Sequence, residues 1–329
     1  MNKTLAVFIS LGVILLIAGL TVVGIFGGEA IRNIKWDDVL NGKAHDLSLA
    51  DTRIDYTEEE LADKLTNGNQ LEIVLKTQEY SVYVLPADDG VLSVRYVMPQ
   101  NDETEINVTC EEYLNVSQSS NMHYNRFSFT RRQKSFIAVY IPQTEAFSNI
   151  MLKISCNVGG IRVSDVATQS VLCSSGAGSI FVDSCKIAAK IEVYTNTGTA
   201  SVKQLETQTL TVKTQTGTVN VEGVTASALA EIKVDTGTIN CMQTVAPKLN
   251  MESETGSIKF DVASNDIMIN SDTGSVSGII QGVKSDYVID CYKDLGSSNL
   301  NSQNPDGATK YLYVNVDIGS VNINFADNA

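Results

Sequence analysis

The chain has 329 residues, a formal net charge of −14 and 43% hydrophobic side chains. That length can bury a sizeable core, and that apolar share excludes general disorder. The acidic balance excludes a nucleic-acid binder, because neutralising phosphate needs clustered Lys and Arg.

Residues 1–28 open the chain as a short tail and an apolar segment. From Thr4 to Gly28, "TLAVFISLGVILLIAGLTVVGIFGG", there is no charged side chain. The run is long enough to cross a hydrocarbon layer of about 30 Å as one helix, and exceeds the ~7–15-residue apolar core of a cleavable signal. It reads as an uncleaved single-pass transmembrane helix, although "GGEA" at Gly27 to Ala30 is a weak cleavage candidate. Lys3 on one side and Arg32 with Lys35 on the other leave the positive-inside count undecided. The residues ahead of the segment can only be a tail, and the large acidic remainder suits an extracytoplasmic domain.

Residues 29–70 form a mixed stalk or cap. Thr57 followed by Glu60 is a capping-box pattern and predicts a short helix over "TEEELADKL". Residues 71–150 read as β: "LEIVLKT", "YSVYVLP", "VLSVRYVMP", "TEINVTC", "RFSFT" and "SFIAVYIP" alternate apolar and polar side chains between breaks. They predict irregular first coils, or a cap on the repeats of the C-terminal half.

Residues 151–329 repeat. Gly159, Gly178, Gly198, Gly217, Gly237, Gly256, Gly274, Gly296 and Gly319 are spaced by 18 to 23 residues. Positions seven and five before each glycine are apolar throughout, from Leu152 and Ile154 to Leu312 and Val314. Positions two and four after it are apolar except at Ser298 and Gly278. A spacing of two on each side of a turn is strand periodicity, with alternate side chains facing one core. One such unit cannot bury its apolar face alone; stacked units about 4.8 Å apart can. The pattern therefore predicts an all-β fold, a β-solenoid of about 20-residue coils forming a rod roughly 40 Å long. Propeller blades need about 40 residues each, which the spacing does not supply. A fifth column, seven after the glycine, holds Val166, Cys185, Leu205, Val224 and Ala263 and predicts a short third side. Asn220, Asn240, Asn299 and Asn322 share one outward column, as an asparagine ladder would.

The string "NTGTASV", "QTGTVNV", "DTGTINC", "ETGSIKF" and "DTGSVSG", preceded by "FIAVYIPQ", resembles the bacterial β-strand-repeat family labelled "putative adhesins" of unknown function. The resemblance covers roughly residues 137–325. It implies a membrane-anchored cell-envelope protein with a β-solenoid fold and no catalytic residues to carry over. Some similar proteins are linked to envelope-stress systems, which makes a stress accessory or sensor the alternative role.

Chemistry-bearing residues are few. Two before the glycines stand Asp235, Glu254, Asp272, Asp294 and Asp317 in consecutive coils. Stacked carboxylates repel, and Ca²⁺ bridging neighbouring coils would relieve them; a solvated, salt-screened corner is the competing reading. Of the six cysteines, Cys173, Cys241 and Cys291 occupy core columns and Cys185 the fifth one, so they read as buried free thiols rather than disulfides. His45 and His123 have neither triad nor metal-ligand spacing, and Arg162 is the one arginine of the coils. This disfavours a carbohydrate-active enzyme and leaves a non-enzyme with no cofactor other than that candidate calcium. The basic stretch "RFSFTRRQK", Arg126 to Lys134, reads as an exposed hairpin rim, with contact to anionic lipid or wall polymer as the functional alternative; the insert Ser297 to Lys310 reads as a plain insertion, with a specialised contact as the alternative. Candidate partners are the membrane, through the N-terminal helix, and a cell-wall polymer or protein. A second copy could pair at the C-terminal coil edge, since Tyr311 to Phe325 is expected to end the rod with an open strand.

Overall fold

A computed structural model describes residues 49–62, 71–99, 104–120 and 135–326. The expected membrane anchor, His45, His123 and the stretch 126–134 lie outside the described residues. Among those described, no helix is long and apolar enough to cross a membrane.

The elements in chain order are β1 (Leu49–Tyr56), β2 (Leu71–Thr77), β3 (Ser81–Ala87), β4 (Leu92–Pro99), β5 (Thr104–Cys110), β6 (Leu114–Ser120) and β7 (Phe136–Pro142). They continue with β8 (Ile150–Val158), β9 (Ile161–Ser164), β10 (Ala167–Ala177), β11 (Ile180–Asp183), β12 (Lys186–Gln281), β13 (Tyr287–Ser298) and β14 (Lys310–Ala326). The run β12 is extended backbone that passes through several corners without leaving the ladder. Neighbouring coils pair in parallel and in register: Val171 faces Leu152 on one side and Ile191 on the other, and Cys173 faces Ile154 and Val193.

The predicted dry interior is present. All nine residues seven before the glycines are buried at 0% exposure, and Val212, Ile232, Met251 and Ile269 stack at 0–1%. Each such aliphatic side chain contributes about 1.5–3 kcal/mol relative to exposure. Gly278 interrupts its column because the ring of Phe260 in the preceding coil fills its space; a Cβ there would stand 2.5 Å from that ring. The third side also exists, with Val166, Cys185, Leu205 and Val224 buried. Ala263 does not continue it. Val262 is buried in its stead, because the Gly256 to Gly274 coil is shortened to 18 residues.

Two corners of the coils are marked by positive φ. At the first, the glycines hold φ between 133° and 153°. A Cβ on Gly237 would stand 1.7 Å from the carbonyl oxygen of Gly217 in the coil before. The ladder thus runs through the corner itself, with each glycine's carbonyl occupying the space a side chain would need in the next coil. The second corner lies six residues later. There Asp165, Ser184, Gln204, Gly223 and Gln243 adopt φ of 50–64°. This left-handed conformation costs non-glycine residues about 1–2 kcal/mol, and the stacking on both sides sustains it.

Both ends of the rod depart from chain order. At the C-terminal end β14 stacks directly on β12, matching Ile267 with Leu312 and Gly274 with Gly319. The earlier strand β13 then pairs on the far side of β14, matching Ile289 with Leu312 and Gly296 with Gly319. The expectation that Tyr311 to Phe325 forms the open end is therefore overturned: it is a sandwiched coil, and β13 is outermost. At the other end β2 lies between β6 and β8, and β3 lies between β7 and β9. The antiparallel strands β5 on β6 and β4 on β7 then cap that coil, with β1 beyond β4. Residues 71–150 thus supply both two irregular coils and the cap. The capping box is formed, with the Thr57 amide donating to Glu60 Oε2 at 2.8 Å and the Glu60 amide donating to Thr57 Oγ1 at 3.3 Å.

The insert after β13 closes the exposed end. Gln303 exchanges two backbone hydrogen bonds with Ile289 at 2.8 and 2.9 Å, and the Cys291 amide donates to Ser302 Oγ at 3.0 Å. Lys293, at the register position of the buried Thr214, Val234 and Ser253, is exposed on the outermost coil and donates to the Gly296 carbonyl. A lysine on an edge strand opposes edge-to-edge pairing.

The two corners predict unequal mutational costs. Gly237→Ala breaks the carbonyl ladder and is expected to cost more than about 3 kcal/mol, because backbone and not a flexible side chain must move. At Gly223 the nearest atom to a new Cβ is 3.8 Å away. Gly223→Ala is therefore expected to cost about 1 kcal/mol. Urea unfolding followed by far-UV circular dichroism separates the two.

Candidate interaction site

The strand that precedes each glycine presents its alternate side chains to solvent on one broad wall. Along this wall the residues four before the corner run Lys76, Ser155, Ser174 and Tyr194 in successive coils, and the residues six before run Val74, Lys153, Leu172 and Glu192. Two serines stand between a lysine and a tyrosine, so the wall is dented. The tip of the β5–β6 hairpin, Glu112 and Tyr113, rises at one end of the dent, because Leu114 pairs with Ile73 and sets Tyr113 beside Glu72. Tyr194 closes the other end.

The result is an open trough of about 640 Å³. Tyr113 is 42% exposed and Tyr194 38% exposed, while Val74, Leu172, Ser155 and Ser174 form the floor. It spans five coils, roughly 19 Å along the rod at the strand spacing. Two lysines, Lys76 and Lys153, face two glutamates, Glu72 and Glu112, and Lys153 Nζ lies 2.8 Å from Glu72 Oε1. A smaller trough of about 240 Å³ continues past Tyr194 to Thr195, Lys213, Lys233 and Asp235.

The carboxylate column is assembled in an order different from the sequence. Asp272 neighbours Asp317, and Asp317 neighbours Asp294 beyond it. Towards the middle of the rod Lys233 intervenes: its Nζ lies 2.8 Å from Glu252 Oε1, 3.7 Å from Glu254 Oε1 and 3.9 Å from Asp235 Oδ1. The hydrogen bond to Glu252 raises the Lys233 pKa above its ordinary value. Among the described residues no three His, Cys, Asp or Glu side chains are grouped as metal ligands. The asparagine column does not form one continuous ladder. Asn240 Nδ2 donates to Asn220 Oδ1 at 2.9 Å, whereas Asn299 exchanges amide hydrogen bonds with the backbone of Ile323 in the sandwiched coil.

All six cysteines are free thiols; Cys156, Cys173, Cys185 and Cys241 are buried, and Cys110 and Cys291 are half-buried. Burial pushes the Cys241 thiol up to about 12 and the Cys185 thiol up to about 11, and raises Cys173 further. These groups act as small apolar side chains in the core.

The trough escaped the sequence reading. Its signal is a pair of serines where adjacent coils carry Lys and Tyr, together with a hairpin tip brought in by the transposed N-terminal coils. The serines are visible in the repeat columns; the hairpin's position is not.

These features define an all-β parallel solenoid with capped, transposed ends and an open polar trough on one wall. The chain matches the Toastrack DUF4097 family over residues 70–324 and belongs to it. No curated protein matches it. Among solved structures, it is similar to a "putative adhesin" from Bacteroides fragilis at 14% identity and a TM-score of 0.43, covering 84% of this chain and 97% of that one. A "putative adhesin" from Parabacteroides distasonis matches at 10% identity and a TM-score of 0.47, over 84% of this chain and 98% of that one.

The buried thiols set an alkaline limit. An unfolded thiol ionises near the ordinary value of 9.0, whereas Cys241 in the fold ionises near 12. Its contribution is complete below pH 9 and is lost as pH rises from there towards 12, since only the unfolded chain gains the thiolate. Cys241→Val places in its column the residue found in four other coils. The variant is expected to melt as high as the parent at pH 7 and to lose less of its Tm between pH 9 and 11.

Proposed function

We propose that this protein is a non-enzymatic interaction module of the bacterial cell envelope. The uncharged segment Thr4 to Gly28 holds it in the membrane as a single pass, and the solenoid stands outside as a rigid rod. One observation carries the reading: the trough has two exposed tyrosines at its ends, mixed charges along its sides and a shallow, open floor. Exposed aromatic side chains beside mixed polar groups are the composition of contact surfaces, where a ring supplies area at low entropic cost. The residues lining the trough include no histidine and no nucleophile paired with a base. The rod itself suits this role, because its paired backbone presents the wall without reorganisation on binding.

The test uses cells displaying the full chain. Protease added outside intact cells is expected to remove the solenoid. Adherence to isolated envelope material is expected to fall at least fivefold when Tyr113 and Tyr194 are both changed to Ala. A protected solenoid, or adherence equal for parent and double variant, would overturn the proposal.

A further inference from the structure

We infer that the trough binds an uncharged polysaccharide chain laid along the rod axis, a reading that rests on the interaction role proposed above and names its ligand class. Three observations carry it.

First, the ends of the trough are aromatic and its middle is small and hydroxylated. Tyr113 and Tyr194 are 42% and 38% exposed, and Ser155 with Ser174 lies between them. Ring faces suit the C–H faces of a pyranose, and serine hydroxyls with a carboxylate and an ammonium suit its hydroxyl groups.

Second, the charges cancel. Lys76 and Lys153 stand against Glu72 and Glu112 around the trough. A polyanion would meet two carboxylates here and a molecule of net charge −14 overall. A polycation would meet two ammonium groups. An uncharged chain with many hydroxyls finds both donors and acceptors and creates no unpaired ion.

Third, the floor is the face of a sheet, not its edge. Its backbone amides are committed to parallel pairing on both sides, as in β8, which lies between β2 and β10. An extended peptide binds by adding to an unpaired edge, and laid on this face it would find no backbone partners for its own amides. A sugar chain has no such requirement, because its hydroxyls can stay half-hydrated.

The trough spans several coils, so the ligand is an oligomer and not a single sugar. Within the floor, Ser174 faces Tyr194 in the next coil. Ser174→Tyr therefore repeats a residue that the same column already accommodates, and fills the trough without touching the core.

Affinity electrophoresis of the full chain in detergent tests this, in gels cast with neutral glucan, mannan or galactan, with a polyuronate, or with chitosan. At least one neutral gel is expected to retard the parent. Tyr113→Ala, Tyr194→Ala and Ser174→Tyr are each expected to weaken that retardation at least fivefold, with unchanged far-UV circular dichroism. Retardation only by the polyuronate or chitosan, by no polysaccharide, or equally for parent and the three variants would overturn the inference. If no gel retards the parent while the tyrosine variants still lose adherence on cells, the interaction role stands and the polysaccharide is wrong. If neutral gels retard the parent but cell adherence is unaffected by the tyrosine variants, the binding site stands and the adherence role falls.

Discussion

The fold depends on one recurring approach: the carbonyl oxygen of each corner glycine lies where a side chain of the next glycine would be. For Gly256 over Gly237 that distance is 1.6 Å from an ideal Cβ, so no other residue type fits without moving backbone. This contact fixes the phase of every coil relative to the last. Once the phase is fixed, residues at equal offsets from the glycine must share a column, and the apolar columns close into one core. The polar wall inherits the same phase. Its chemistry is therefore written in columns too, and a dent in the wall needs only that one column carry small side chains for two coils.

The ends obey a different constraint. A coil in the middle has two neighbours, while an end coil has one and an open edge. Here the chain solves this by laying its last strand inside its penultimate one. β14 gains two parallel neighbours, and β13 becomes the outermost strand. The remaining edge is blunted locally, by Gln303 pairing with Ile289 and by the exposed Lys293. The N-terminal end uses the same exchange of order, with antiparallel strands added as a lid. It is this exchange that brings the β5–β6 hairpin tip over the wall and gives the trough its first tyrosine.

The regular coils were legible because their information is repeated. Ala230 is much smaller than Leu210 and Leu249 on either side of it, yet the offset from the glycine identifies each as core. The capping box at Thr57 was legible because it is local. The transposition was not, because the apolar columns ahead of Gly296 and Gly319 fit in either order. What decides is the length of chain between them: the insert after Ser298 is long enough to step past one coil, and it serves as a crossover and a plug. The second corner was missed for a related reason. Asp165, Ser184, Gln204 and Gln243 are polar residues of kinds that fill the whole wet face, and Gly223 stands in the same place, so the conformation they share leaves no distinctive column to see.

The location of the trough follows from where regularity lapses. In the middle of the rod the wall is crossed by ion pairs between adjacent coils, such as Lys213 with Glu231 and Lys233 with Glu252, which flatten it and satisfy its charges internally. Near the N-terminal end the columns carry Ser155, Ser174 and Gly176, small residues that leave the wall low beside the cross-coil pair of Lys153 with Glu72. A rod that repeats one coil can offer only a repeated surface, which discriminates poorly between ligands. Specific contact requires a break in the repeat, and the cheapest place for one is beside an end, where the coils already deviate to protect their edge. The trough lies there, between the last regular coils and the cap.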